Sequence, residues 1–271
     1  MRSGCIFSAF AWGNQAMTLD RVRIILVEPS GPMNVGSVAR VMKNFGFHHL
    51  VLVNPQCDPL SLEALHMAVH AKDILQSSQT VATLPEALRG CQRAIATTAR
   101  VRDWGTPMEN PRVALPWLLE NPQHSAALIF GREDRGLSNE ELNYAQRFVR
   151  IPTSSTYPSL NLATAVSLCC YELAIFNTEN QENTESEQLI ASKNVSDDLA
   201  SLDVVETYYQ ELKSLLLKIG YLYAHTSSSR MEKFRQLYNR ARLQTKEVAM
   251  LRGILRQVEW AIGNLHNREK S

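Results

Sequence analysis

Long apolar runs are missing from this chain. No stretch reaches the roughly 18 residues that a membrane-spanning helix needs, so no membrane partner is expected. Cysteine is sparse and unpatterned. Cys5, Cys57, Cys91, Cys169 and Cys170 are odd in number, and no pair has the two-residue spacing of a zinc or redox motif. That excludes a disulfide scaffold and a cysteine-held metal. The thiols are read as buried and free, no metal is expected, and a reducing, cytoplasmic compartment follows. Charge of one sign is also lacking. Lys and Arg number 28 against 27 Asp and Glu, a formal net charge of +1 that does not by itself mark a nucleic-acid binder. Finally, no Gly-x-Gly-x-x-Gly turn follows any strand, which argues against a nucleotide-dependent oxidoreductase.

The 271 residues suffice for one large α/β domain and a smaller appendage. Met1 to Met17 is mildly apolar, without a signal-peptide layout, and residues 1–20 are expected to be a disordered leader, with Met17 an alternative start. Short apolar runs at 23–27, 50–53, 93–97, 126–130 and 148–151 predict strands. Helical stretches are predicted at 35–45, 61–75, 85–89, 111–120, 139–146 and 162–176. Near-continuous apolar strands alternating with helices predict a parallel sheet covered on both faces. This α/β domain is assigned to residues 21–177.

The composition then changes. From Thr178 to Glu206 eight acids oppose one lysine, and residues 178–203 are read as an acidic linker. Beyond it, residues 204–271 predict a small all-α extension of three amphipathic helices. Their core faces are Val204, Tyr208, Leu212, Leu215 and Ile219; then Met231, Phe234, Leu237 or Tyr238, and Ala241; then Val248, Leu251, Leu255, Val258 and Ile262. From Arg230 onward ten Lys and Arg oppose four acids, a balance that fits a phosphate-rich partner or a solvated helix face.

Three segments carry chemistry. Glu28 to Arg40 contains a turn leading into a helix N-terminus, whose backbone N–H groups suit an anion, with Arg40 two turns in. Ile129 to Ser138 ends a strand, places Gly131 where a close backbone approach is allowed, and offers Ser138 and Glu141 as a capping box. Ile151 to Ala163 is a strand end, a polar loop and a helix start that Ser159 or Asn161 can cap.

Together, Asn34-x-Gly36-x-x-x-Arg40, Phe130-Gly131-x-Glu133-x-x-Gly136-Leu137, and Ile151-Pro152 followed by Ser159-Leu160-Asn161-Leu162 resemble the three ordered motifs of the SpoU/TrmH family of SPOUT-class RNA ribose methyltransferases. The run Met231 to Arg242, followed by Leu251-Arg252-Gly253-Ile254-Leu255, resembles the extension of the TrmJ subgroup. The resemblance implies a parallel-sheet SPOUT fold with a C-terminal trefoil knot, a homodimer, and transfer of a methyl group from S-adenosyl-L-methionine to a ribose 2′-hydroxyl of tRNA. The expected target is cytidine or uridine at position 32 of the anticodon loop. Another tRNA or rRNA nucleotide is the alternative target, and a non-catalytic RNA-binding factor the alternative of another class.

Carried over by position, the resemblance implies a cofactor pocket from Ala96, Thr97, Thr98, Gly131, Ile151, Pro158, Ser159, Leu160 and Asn161. It implies Arg40 as the central catalytic residue. Arginine is not deprotonated in proteins, so Arg40 is read as positioning the nucleotide and stabilising alkoxide character. Asn34 shapes the site, Glu133 shapes it or accepts the proton, and Ser159 and Asn161 assist catalysis or fix the pocket. Arg100, Arg102, Arg132, Arg230, Arg235, Arg240 and Arg242 are candidate RNA-phosphate contacts.

Overall fold

The computed structural model describes residues 19–99, 107–186 and 198–268. Among them, seven strands form one sheet in the order β3-β2-β1-β6-β4-β7-β5. They are β1 (Val22–Val27), β2 (His49–Val53), β3 (Gln79–Val81), β4 (Arg93–Thr97), β5 (Met108–Glu109), β6 (Ala126–Phe130) and β7 (Arg147–Val149). Every pairing is parallel. The central strands are apolar on both faces because both faces are covered. Ile24, Leu26, Leu50, Leu52, Leu128 and Phe130 face one core, while Ile25, Val27, Val51, Val53, Ala127 and Ile129 face the other.

The first core is closed by α1 (Pro32–Asn44), α2 (Leu62–Ala68), α3 (Lys72–Gln76) and α7 (Leu162–Ser186); the second by α4 (Leu84–Ala87) and α6 (Asn139–Leu142). A short α5 (Pro111–Ala114) runs into a 3-10 turn (Leu115–Leu119). The last strand, β7, sits between β4 and β5. That order is consistent with the C-terminal knot that the resemblance implies.

Several elements depart from the sequence expectations. The helix predicted at 61–75 is two helices, because Val69, at the C-cap of the first, lies at φ 52, outside the helical region. The helix predicted at 111–120 tightens at Leu115, where Pro116 has no N–H to continue an α-helical ladder. Strands β3 and β5 were not expected. The helix expected to end at Phe176 continues to Ser186, so the first part of the predicted acidic linker is helical. Its glutamates and glutamine are good helix formers. Residues 1–18 of the expected leader, and 187–197 of the linker, lie outside the described residues.

The C-terminal helices are α8 (Leu202–Lys218), α9 (Ser227–Ala241) and α10 (Thr245–Arg268). They bury Val205, Tyr208, Tyr209, Leu212, Leu215, Leu222, Met231, Val248 and Leu255. Val205 is buried and Val204 only partly so. Ile219, at the C-cap of α8, is exposed, and Tyr238 rather than Leu237 packs inward.

This bundle is fastened to the N-terminal ends of β4 and β7. Leu202 N–H donates to the Cys91 carbonyl (2.8 Å), and Gly90 N–H donates to Asp203 (2.9 Å). The Asn239 amide donates to the carbonyls of Asn143 (3.3 Å) and Ala145 (3.2 Å). Trp117 is buried there, with the guanidinium groups of Arg93, Arg147 and Arg242 at 5.0, 5.5 and 5.3 Å from its ring centre. Cationic groups at that range are attracted to the ring quadrupole.

Candidate active site

At the opposite ends of the same strands, Thr97 of β4, Phe130 of β6 and Val149 of β7 open into a cleft. Carboxyl ends of parallel strands are where such sheets bind ligands. One wall is Thr97, Thr98 and Ala99, the second is the loop from Gly131 to Leu137, and the third is Ile151 with Pro158, Ser159 and Leu160. The Thr97 hydroxyl donates to the Ile129 carbonyl (3.1 Å), and Thr98 N–H to the Val149 carbonyl (3.0 Å), which joins the first wall to its neighbours.

The second wall is a tight turn. Arg132 and Gly136 pair as an isolated antiparallel bridge, and Gly136 has φ 67. A Cβ on Gly131 would stand 2.2 Å from the Gly136 carbonyl carbon. The close approach that requires Gly131 is therefore made by its own loop. Arg135 anchors this turn from outside: its guanidinium donates to Glu141 through both terminal nitrogens (2.9 Å each) and to Glu28 (2.8 Å). Glu141 in turn completes the expected capping box with Ser138. Sequence reasoning did not single out Arg135, because its two partners lie in different segments.

Glu133 points the other way, into the N-terminus of α1. Its carboxylate accepts from Ser30 N–H (3.0 Å), Ser30 Oγ (3.0 Å), Gly31 N–H (3.1 Å) and the Asn34 amide (3.0 Å). Burial alone pushes its pKa up, but these hydrogen bonds outweigh it and hold the carboxyl below its usual range. The anion suited to this helix N-terminus is thus the protein's own side chain. A carboxylate already accepting four hydrogen bonds is poorly placed to take a proton, so the proton-acceptor role considered for Glu133 is set aside.

Asn34 continues the chain of contacts. Its Oδ1 accepts from the Asn161 amide (2.9 Å), and Asn161 Oδ1 accepts from Ala163 N–H (2.9 Å) at the start of α7. Glu133, Asn34 and Asn161 thus join the three segments on one line. Asn161 braces the pocket from behind and does not line the cleft, and Ala96 is fully buried in the second core. Both were expected to contact the cofactor. Ser159, also expected there, lines the cleft.

Gly36 serves packing: a Cβ there would meet the Ala64 carbonyl at 2.2 Å, so α1 and α2 touch backbone to backbone. Arg40 is exposed on α1, outside the cleft lining, and has no hydrogen-bond or ion-pair partner among the described residues. Arg132 pairs with Asp134 (3.0 Å) at the rim.

Of the predicted RNA contacts, Arg100 and Arg102 lie outside the described residues. Arg230 and Arg240 are exposed. Arg235 is not: it makes a two-pronged pair with Glu206 (2.5 and 2.7 Å), with the rings of Tyr209 and Tyr144 at 4.5 and 5.1 Å. Only 13% of its side chain is exposed, so it is a docking pin between the bundle and the sheet domain. Arg242 rests over Trp117. Among the described residues no group of three His, Cys, Asp or Glu is arranged to hold a metal, and no helix is long and apolar enough to cross a membrane.

Residues 21–171 match the model of the SpoU rRNA Methylase family, and residues 203–270 that of the tRNA methyltransferase TrmJ C-terminal domain. The chain is 38% identical to the tRNA (cytidine/uridine/adenosine-2'-O-)-methyltransferase TrmJ of Pseudomonas aeruginosa, covering 89% of this chain and 95% of that protein. It is 39% identical to the tRNA (cytidine/uridine-2'-O-)-methyltransferase TrmJ of Salmonella typhimurium, covering 89% and 97%. The crystal structure of TrmJ from Z. mobilis ZM4 superposes with a TM-score of 0.76 at 28% identity, over 88% of this chain and 98% of that one.

Proposed function

Because this chain belongs to the SpoU methylase family, and within it to the TrmJ group, we propose that it is a tRNA (cytidine/uridine-2′-O-)-methyltransferase that uses S-adenosyl-L-methionine. The finer reading is position 32 of the anticodon loop, a cytoplasmic setting and a homodimer. The observation that carries the methyltransferase reading is the Glu133–Asn34–Asn161 line, which ties the three family segments to the cleft at the strand ends.

The cleft fits the cofactor. Phe130, Leu137, Val149, Ile151 and Leu160 offer an apolar lining for adenine, and the tight Gly131–Gly136 turn brings backbone groups to the rim. S-adenosyl-L-methionine supplies an electrophilic sulfonium methyl, so the chemistry left to the protein is orientation and charge. On this reading Arg40, exposed and unpaired, holds a nucleotide phosphate or a developing alkoxide.

The homodimer is supported by Leu168, Tyr171 and Ile175, exposed at 40%, 46% and 40% along one face of α7. That face adjoins α1, with Phe45 and Tyr171 in edge-to-face contact at 6.1 Å.

The deciding experiment is methyl transfer from labelled S-adenosyl-L-methionine to unmodified total tRNA, with mass mapping of the product. A 2′-O-methyl at position 32 is expected. Transfer to ribosomal RNA alone would keep the enzyme class and discard the tRNA target, and no transfer to any RNA would discard the enzyme.

A further inference from the structure

The loop joining α8 to α9 has a surface that the methyl-transfer site does not use. Gly220 turns the chain at φ 76, and Tyr221 and Tyr223 then project outward at 54% and 57% exposure. Between them Leu222 is buried, and its N–H donates to the Leu216 carbonyl (3.0 Å). Thr226 N–H donates to the Tyr223 carbonyl (3.0 Å), and the Ser227 hydroxyl to that of Ala224 (3.1 Å). The loop is therefore held in shape while its aromatic groups face water.

Two further groups extend those rings. His225 stacks on Tyr223, with centroids 6.0 Å apart and planes at 24°. The Arg230 guanidinium lies 5.9 Å from the Tyr221 ring centre and donates to the Tyr221 carbonyl (3.1 Å). Between Glu211, which pairs with Arg252, and Glu232, the sequence holds Lys213, Lys218 and Arg230 and no acid. The loop ends α8, roughly 24 Å along that helix from its docked start at Leu202.

Exposed aromatic faces beside cationic side chains are what unpaired nucleotides bind: bases stack on the rings and phosphates meet the cations. A double helix keeps its bases stacked inside and gains little from such rings. We propose that Tyr221 and Tyr223, with His225 and Arg230, form a stacking platform for unpaired nucleotides of the RNA substrate. This rests on the RNA reading above and deepens it by assigning the part of the substrate that the extension grips.

The test uses the full chain and a Tyr221→Leu/Tyr223→Leu double variant. The probes are a fluorescein-labelled oligouridylate dodecamer, a blunt 12-base-pair RNA duplex and an unmodified tRNA transcript. The variant is expected to lose about tenfold or more in affinity for the dodecamer and the tRNA. It keeps its duplex affinity, its cofactor affinity and its melting temperature, and KM for tRNA rises while kcat holds. Tyr221→Phe/Tyr223→Phe, which retains the rings, stays within about twofold of the parent.

Unchanged dodecamer affinity in the leucine variant would overturn the proposal, as would an equal loss on the duplex. Altered self-association in sedimentation with intact RNA affinity would assign the rings to a protein contact instead. Dodecamer binding is read without methyl transfer, so a chain that methylated no RNA yet gripped the oligomer through these rings would lose the functional reading and keep the platform.

Discussion

The Asn161 amide lies 2.9 Å from the Asn34 side-chain oxygen, so residues 127 positions apart lock the start of α7 to the first turn of α1. Asn34 donates on its other side to Glu133 (3.0 Å), and only a carboxamide serves both neighbours at once. Asn34→Ala removes both bonds and should lower kcat/KM by roughly ten- to a hundredfold, one to two hydrogen bonds' worth. Asn34→Asp should be worse, because it sets a second carboxylate against Glu133. Steady-state kinetics with tRNA decide between them, and an Asp variant more active than the Ala variant would contradict this geometry.

Glu133 sets an acid limit. Its folded pKa is depressed below its unfolded value, so its stabilising contribution is complete above the unfolded value of about 4.3 and is lost as pH falls through the folded one. Glu141 and Asp203 are also depressed: burial raises each, but hydrogen bonds from Arg135 and Ser138, and from Gly90 and Ser201, outweigh it. Melting temperature should be flat with respect to these groups near neutrality and should decline below about pH 4. Glu133→Gln should flatten part of that decline and lower stability at pH 7 by roughly 2 kcal/mol, since one amide nitrogen would face donors.

Two glycines should fail for different reasons. Gly36→Ala drives a methyl into the Ala64 carbonyl, a backbone atom with little freedom to move. A cost of roughly 1–3 kcal/mol is expected, seen as a lower melting temperature. Gly131→Ala forces open the Gly131–Gly136 turn on the cleft wall, and should weaken cofactor binding in calorimetry by more than its effect on melting implies.

Arg235 and Arg240 separate anchoring from RNA contact. Arg235→Ala leaves Glu206 half-buried without its partner and should cost about 3 kcal/mol, loosening the bundle. Faster proteolysis at 198–204 with unchanged cofactor binding is the expected readout. Arg240→Ala should leave the fold intact, weaken RNA binding, and reduce its salt dependence by about one counterion.

Arg40→Lys keeps a positive charge and loses the planar fork. Turnover should fall at least about tenfold with cofactor affinity unchanged, since Arg40 lies outside the cleft. Near-normal turnover would remove the fork from the mechanism.

Much of this was legible in the residues. The five main strands announce themselves as buried apolar runs, and Asn34, Arg40, Gly131, Glu133 and Asn161 sit in recognisable order. What escaped notice depends on distance. β3 and β5 are edge strands of three and two residues, too short and too exposed to show a pattern. Nothing local in Arg235 reveals Glu206 and Tyr209 beneath it, and nothing in Gly36 reveals the Ala64 carbonyl. Residue type showed that Glu133 mattered, but only the fold shows that its four donors occupy it.

Within one chain, the helical bundle is fastened at the N-terminal ends of β4 and β7, and the methyl-donor cleft opens at their C-terminal ends. The five residues of β4 set its two ends roughly 16 Å apart. On the proposal that the bundle grips RNA, a substrate must reach from the bundle across the height of the sheet to the cleft, a span that a single nucleoside does not cover.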